Sequence, residues 1–343
     1  MMTNKEAILT AYARGIPDRV PVTIFGGGVW TIFHAGSTFA EFYKDPANMA
    51  AQLMKTNEEL DMDIIYCGSG YNNFHAAALG GKIKYRQVGA PDLEEPLVET
   101  AADLAKLDLG DLYKNDVISS IYDCTRIVAK EVGDEVVVTM TTWGPFTLAG
   151  QIFGVEKLMR ALFKKPEESH AVIEYAMEII WKLYEPLLDD GTIEVCSIAD
   201  PTASGDLISA PHFKTYGLPY LQELSDRIHA KGGKVLLHIC GDTREKLSEI
   251  GDSHVDCFSF DQKVDIAQGK EAVKDRMCVG GNVAPVHVLM QKTPAEVEAA
   301  CLECIEKAAP GGGYVLMPGC DHPPQVPLEN LKVFVRTAKE WKY

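Results

Sequence analysis

The chain has 343 residues, 46% of them hydrophobic and 24% charged, the make-up of a soluble globular enzyme, which excludes the disordered and fibrous classes. A formal net charge of −16 excludes a nucleic-acid protein, whose phosphate contacts need clustered Lys and Arg. No apolar run reaches the ~18 residues of a membrane span, the start Met1-Met2-Thr3-Asn4-Lys5-Glu6 has no signal layout, and nine scattered cysteines suit a reducing compartment. The reading is a cytoplasmic chain with free thiols.

Taken in chain order, eight short apolar runs read as strands, most of them continuous as in parallel sheets buried on both faces. The first, Val20–Phe25, leads into Gly26-Gly27-Gly28, a flexible-loop signal rather than a phosphate-binding Gly-x-Gly-x-x-Gly. Met62–Tyr66 follows, and then a connection too long for one helix. Within it Gly80–Val88 alternates like a hairpin strand, so residues at about 70–115 read as an insertion over one barrel face. Amphipathic stretches Asp116–Lys130, Pro166–Leu188 and Pro211–Ala230 alternate with runs Val136–Met140, Ile193–Ile198 and Val235–Ile239. The runs Val255–Phe260, Met277–Gly281 and Tyr314–Met317 complete the set. Before the last, Thr293, Pro294 and Glu296 form the start signal of a helix that Pro310-Gly311 stops near Ala308. Eight strands alternating with helices, without repeats or linkers, predict an α/β fold, a single (β/α)8 TIM barrel domain over residues 1–343. A doubly wound open sheet is the alternative.

The chemistry gathers at strand ends. His238 and Cys240 are two apart at the end of the fifth run, so they point the same way and can hold one ion together. Cys320 follows the eighth run and should emerge on the same face, the active face of a barrel. One imidazole and two thiolates suit zinc, and three protein ligands leave a fourth position for substrate, as in catalytic sites. The bland account is three unrelated core residues, since nine cysteines and nine histidines produce neighbours by chance. Cys301 and Cys304 share an apolar helix face with Val297, Ala300 and Ala308 and read as packing. Cys196, Cys257 and Cys278 lie in strands and read the same way. Asp200, Asp206 and Asp261 follow strand ends. The first two are assigned to the catalytic set, to orient ligands or accept protons, although a structural cap accounts for each equally well. Beside Cys320, His322 is a further candidate ligand or partner of a ligand.

Several segments are similar to the uroporphyrinogen decarboxylase superfamily: Asn4–Leu9 through Pro17–Val22, Gly144–Ala149, Leu218-Pro219-Tyr220 and Pro327–Asn330. The resemblance covers nearly the whole chain and implies a (β/α)8 barrel. The decarboxylase branch has an arginine-rich loop after the first strand, where this chain has Phe25–Phe33 without a cation. It has a tyrosine where Gln151 stands and a histidine where Cys320 stands. His238-x-Cys240 with distant Cys320, Asp200-Pro201, Ser204–Ser209 and Gly281–Pro285 instead resemble the methylcobamide:coenzyme M methyltransferase branch. That branch implies Zn2+ on His238, Cys240 and Cys320, and a thiol such as coenzyme M, or another acceptor, taking methyl from a methylcobamide on a separate corrinoid protein. Trp143, Gln151 and Asn282 are assigned to the substrate cleft. The alternatives are a metal-free uroporphyrinogen decarboxylase and a non-catalytic barrel that binds a corrinoid. An octa-anionic porphyrinogen suits so acidic and arginine-poor a site badly.

Overall fold

The computed structural model describes residues 1–343. Its central sheet has seven parallel strands: β1 (Ile64–Cys67), β4 (Val137–Trp143), β5 (Val195–Ala199), β6 (Lys234–Ile239), β7 (Cys257–Phe260), β8 (Cys278–Val283) and β9 (Tyr314–Pro318), neighbours in that order. β2 (Ile83–Lys84) and β3 (Asp92–Leu93) form a separate antiparallel pair inside the long connection after β1. Every residue of β1, β5, β7, β8 and β9 is buried, as continuous apolar runs require when helices cover one face and the barrel lumen the other.

The first expected strand is the exception. Val20–Phe25 lies between β9 and β1 and closes the barrel, but it forms only a single parallel bridge, Val22 to Leu316. The backbone shows why. Pro21 has no N–H to give, and the N–H of Val22 goes to Oδ2 of Asp63 at 2.7 Å instead of to a strand. The carbonyls remain: Leu316 N–H donates to Pro21, Thr23 N–H to Leu316, and Asp63 N–H to Val22. The eighth stave is therefore present as a seam and not as a ladder strand.

Two cores result. The larger lies between the sheet and the helices, and it takes up Cys67, Cys124, Cys196 and Cys301. The smaller is the lumen, where Ile64, Val137, Val195, Leu236, Cys257, Cys278 and Val315 pack on Ile8, Ala11 and Tyr12. Those last three come from helix Asn4–Tyr12, which carries the Thr3–Glu6 capping box and plugs the bottom of the barrel. Helix Pro294–Ala308 has the expected ends, with Thr293 and Glu296 exchanging both capping hydrogen bonds. The stretch Pro211–Ala230 instead forms two helices, Ala210–Tyr216 and Leu218–Ala230. Gly217 sits at the break, where a Cβ would meet the Phe213 ring at 2.7 Å, and Pro219 restarts the turn. No helix is long and apolar enough to cross a membrane.

Candidate metal centre and its cavity

His238 is the fifth residue of β6, and Cys240 lies just past the strand's end. Strand alternation sends both side chains toward the lumen mouth, with His238 Nε2 3.1 Å from Cys240 Sγ. Cys320, two residues beyond β9, brings its Sγ to 3.3 Å from that of Cys240. The three donor atoms lie within 4.8 Å of one another. The edge of a tetrahedral site with metal–sulfur bonds of about 2.3 Å is roughly 3.8 Å, so the donors need to part by only about half an ångström to hold an ion.

The imidazole is fixed in the orientation a ligand needs. Its Nδ1 faces the Ser259 carbonyl at 3.1 Å and the Ser259 hydroxyl at 3.2 Å. A carbonyl can only accept, so a ring proton sits on Nδ1 and Nε2 is the nitrogen turned toward the sulfurs. Phe25 covers the ring, with centroids 4.7 Å apart. The three groups also share charge among themselves. The hydrogen bond from Cys240, and then His238, hold the Cys320 thiol down at about 4. The neighbouring Cys320 sulfur and burial push Cys240 up. Burial works against protonation of His238, but Cys320, the Ser259 carbonyl and Asp261 together offset it and its pKa is raised. The pair's environment thus favours ionisation of one of its two thiols.

The donors open into a cavity of about 170 Å³ at the carboxyl ends of the strands. Its wall includes Phe25, Gly26, Val29, Ser69, Asn72, Thr141, Trp143, Ala199 and Asp321. Trp143, at the end of β4, is held there by a 2.7 Å hydrogen bond from its indole N–H to Asn73 Oδ1. Gln151 and Asn282, the other two residues assigned to the cleft, are not part of this wall. Gln151 lies half-buried in helix Pro145–Phe153. Asn282 is buried and spends its amide on the carbonyls of Asp261 and Val264, bracing the turn after β7. Asp206 is exposed and ion-paired with Lys263 at 2.6 Å, so it does not reach the cavity either. His322 is buried, but neither ring nitrogen finds a partner and it is not among the three convergent donors. Burial holds its pKa down near 3, which keeps the ring neutral.

Asp200 lies fully buried behind the wall, where it acts as a cap. Its Oδ1 accepts the Thr147 N–H at 2.7 Å and its Oδ2 that of Phe146 at 3.4 Å. The carboxylate thus sits on the N-terminus of helix Pro145–Phe153, where the helix dipole favours it. Burial pushes its pKa up to about 6, and the amide hydrogen bonds hold it from rising further. Its own N–H donates to the His238 carbonyl, which ties this cap to β6. The fit leaves no room at Gly144, where a Cβ would lie 2.4 Å from Asp200 Cγ. Gly144→Ala should therefore destabilise the protein by about 2–4 kcal/mol, read as a lower midpoint in chemical denaturation. An unchanged midpoint would show that Asp200 can leave its cap at little cost.

Sequence reasoning had no means of finding Ser259, Asn72 or Asp321. Ser259 meets His238 through the β6–β7 register, and Asn72 arrives on a loop of the long connection. Asp261, singled out only as a strand-end acid, accepts the Gly241 N–H at 2.8 Å and so fixes the turn that follows Cys240.

A model of the uroporphyrinogen decarboxylase (URO-D) family matches residues 3–341. The methylcobamide:CoM methyltransferase MtaA of Methanosarcina barkeri is 27% identical over 99% of this chain and 98% of its own. A uroporphyrinogen decarboxylase of Chlorobium phaeobacteroides is 24% identical, over 71% of each chain. Among solved structures, a methyltransferase from Methanosarcina mazei superposes with a TM-score of 0.87 at 26% identity, covering 99% of both chains.

Proposed function

The chain belongs to the uroporphyrinogen decarboxylase family, and within that family we propose that it is a zinc-dependent methyltransferase moving methyl from a methyl-cobamide, carried by a corrinoid protein, to a thiol acceptor. The observation that carries this reading is the convergence of His238 Nε2, Cys240 Sγ and Cys320 Sγ at the barrel mouth. Full-length similarity to enzymes named as methylcobamide:CoM methyltransferases supports it. The decarboxylase alternative has less behind it. None of the 16 residues lining the cavity is Lys or Arg, whereas a porphyrinogen with eight carboxylates needs cations to hold it.

Two thiolates and an imidazole are the donor set of a zinc site with one position left open. Zinc there would supply the Lewis acidity that keeps an acceptor thiol, of ordinary pKa about 8.5, in its nucleophilic thiolate form at neutral pH. In the overall reaction the acceptor S–H loses its proton to solvent and the sulfur gains the methyl carbon. Cobalt retains the bonding pair, so methyl-cob(III)amide becomes cob(I)amide. The chain's own residues orient and exclude. Ser259 and Phe25 hold the His238 ring in one pose, and Asp261 holds the Cys240 turn. Phe25, Val29, Trp143 and Ala199 give the cavity an apolar wall that keeps water from competing for the open position.

Metal analysis together with a cob(I)alamin absorbance assay tests the reading. The purified protein should carry about one zinc per chain and convert methylcobalamin to cob(I)alamin when a thiol is supplied. A metal-free protein that shortens the acetate groups of a porphyrinogen would overturn it. So would one that binds methylcobalamin but never demethylates it.

A further inference from the structure

We infer that the turn at residues 69–73, together with Thr141, is the subsite for the far end of the methyl acceptor, and that this end is an oxygen group that accepts hydrogen bonds, such as a carboxylate or an amide carbonyl. The inference rests on the methyl-transfer reading above and names the residues that select the acceptor.

Three observations carry it. The first is a set of backbone donors. Ser69, Gly70, Asn72 and Asn73 line the cavity together with Gly26, and the N–H of each has no hydrogen-bond partner in the protein. Within the turn only the Tyr71 N–H is used, on the Gly68 carbonyl at 3.0 Å. Gly68 and Gly70 have φ of +70° and +87°, and a turn with successive free amides makes a concavity for oxygen ligands. The second is a pair of side chains in the same wall. Asn72 and Thr141 are both more than nine-tenths buried, and Asn72 Nδ2 and Thr141 Oγ1 have no partner either. Buried polar atoms without partners are costly, and an accepting oxygen on the substrate relieves that cost. The third is that packing holds the turn from behind without using these donors. Tyr71, buried beneath it, donates its hydroxyl to the Phe39 carbonyl at 2.9 Å. A Cβ on Gly28 would lie 2.0 Å from the Ser69 carbonyl oxygen, and one on Gly70 would lie 2.6 Å from the Phe39 ring. The Asn73 side chain accepts the Trp143 indole N–H at 2.7 Å and donates to the Pro91 carbonyl at 2.8 Å. The amides are therefore left open by a fixed backbone and not by a loose loop.

The turn and the His238, Cys240 and Cys320 donors share one cavity of about 170 Å³, so a small thiol held by its sulfur at the triad has its other end in the same space. No Lys or Arg lines that space, and the head is held by hydrogen bonds instead of an ion pair. A purely hydrocarbon end would leave every one of these groups unpaired, which is how a site built to hydrogen-bond one substrate rejects its apolar analogue.

The test titrates 3-mercaptopropionate, 3-mercaptopropionamide and 1-propanethiol calorimetrically into the full-length protein supplied with zinc. We expect the better of the two oxygen-headed thiols to bind at least about tenfold more tightly than 1-propanethiol, and which of the two it is reports whether the head is charged. Asn72→Leu and Thr141→Val should each reduce that advantage by about threefold or more while leaving 1-propanethiol within about twofold. Asn72→Asp keeps the shape and exchanges the donor for an acceptor, so it should reduce the advantage as well. Equal affinity for all three thiols, no measurable binding, or an advantage that Asn72→Asp leaves intact would overturn the inference. A loss confined to Asn72→Leu would also overturn it, because that is an effect of packing and not of the donor. If the advantage and its loss appear but the zinc protein does not demethylate methylcobalamin, the subsite stands and the methyl-transfer reading falls. Demethylation without any preference among the thiols leaves that reading standing and removes the subsite.

Discussion

Cys240→Ser and Cys320→Ser proteins should each retain less than about a tenth of the wild-type zinc after dialysis against a weak chelator. Their rate of cob(I)alamin formation should fall by at least about a hundredfold. Apparent zinc affinities of thiolate sites correspond to roughly 10–16 kcal/mol. Losing one of three protein ligands removes on the order of 3–5 kcal/mol of that, or two to four decades in dissociation constant. Serine does not restore the bond, because its hydroxyl is hard and stays protonated where a thiol ionises. Both cysteines are only half-buried at the mouth, so their replacement should leave the melting temperature of the metal-free protein nearly unchanged. That separates loss of the site from loss of the fold. A Cys320→Ser protein with full zinc and full activity would remove the metal from this triad altogether.

The triad is legible in the sequence because its two closest members are local. Positions two apart on a strand share a face whatever the fold, so His238 and Cys240 pair by spacing alone. Cys320 needs only the further step that parallel barrel strands all end on one face. The residues that fail to reach the cavity do so for reasons a sequence does not carry. Asp200 and Asp206 are both acids just after β5, yet one is buried on two amides and the other is solvent-exposed against Lys263. Only the path of the intervening loop distinguishes them. Asn282 follows the β8 glycines closely enough to look like a cleft residue, but its amide turns to the carbonyls of Asp261 and Val264. Likewise, the run Val20–Phe25 has the composition of a strand. Pro21 stands inside the run, but the carboxylate of Asp63 that completes its reduction to a bridge acts across 41 residues of chain.

That competing carboxylate supports the second large expected effect, a loss of about 3–5 kcal/mol in Asp63→Ala, or roughly 4–7 °C in melting temperature. Asp63 is fully buried, and both its oxygens meet the Arg19 guanidinium, at 2.8 and 2.9 Å. It also accepts the Val22 N–H and lies 3.2 Å from Lys339. One side chain therefore joins the seam, the foot of β1 and the final helix at the point where the barrel has a bridge instead of a ladder. Removing it leaves a buried guanidinium with Asn4 Oδ1 and the Val20 carbonyl as its remaining partners. Arg19→Met should cost less, because Asp63 would keep Lys339 and the backbone amide. The double variant Asp63→Leu with Arg19→Met should recover much of the loss, since it leaves no unpaired charge inside. The effect should also reach the metal centre. The seam runs directly into Phe25 and the Gly26–Gly28 turn, which cover His238 and meet Asp321. Asp63→Ala should therefore release zinc faster than wild type even below its melting temperature, measured by the rate of transfer to a chromogenic chelator. Equal release rates in a destabilised variant would mean that the bridge at Val22 holds the mouth in place without the ion pair beneath it.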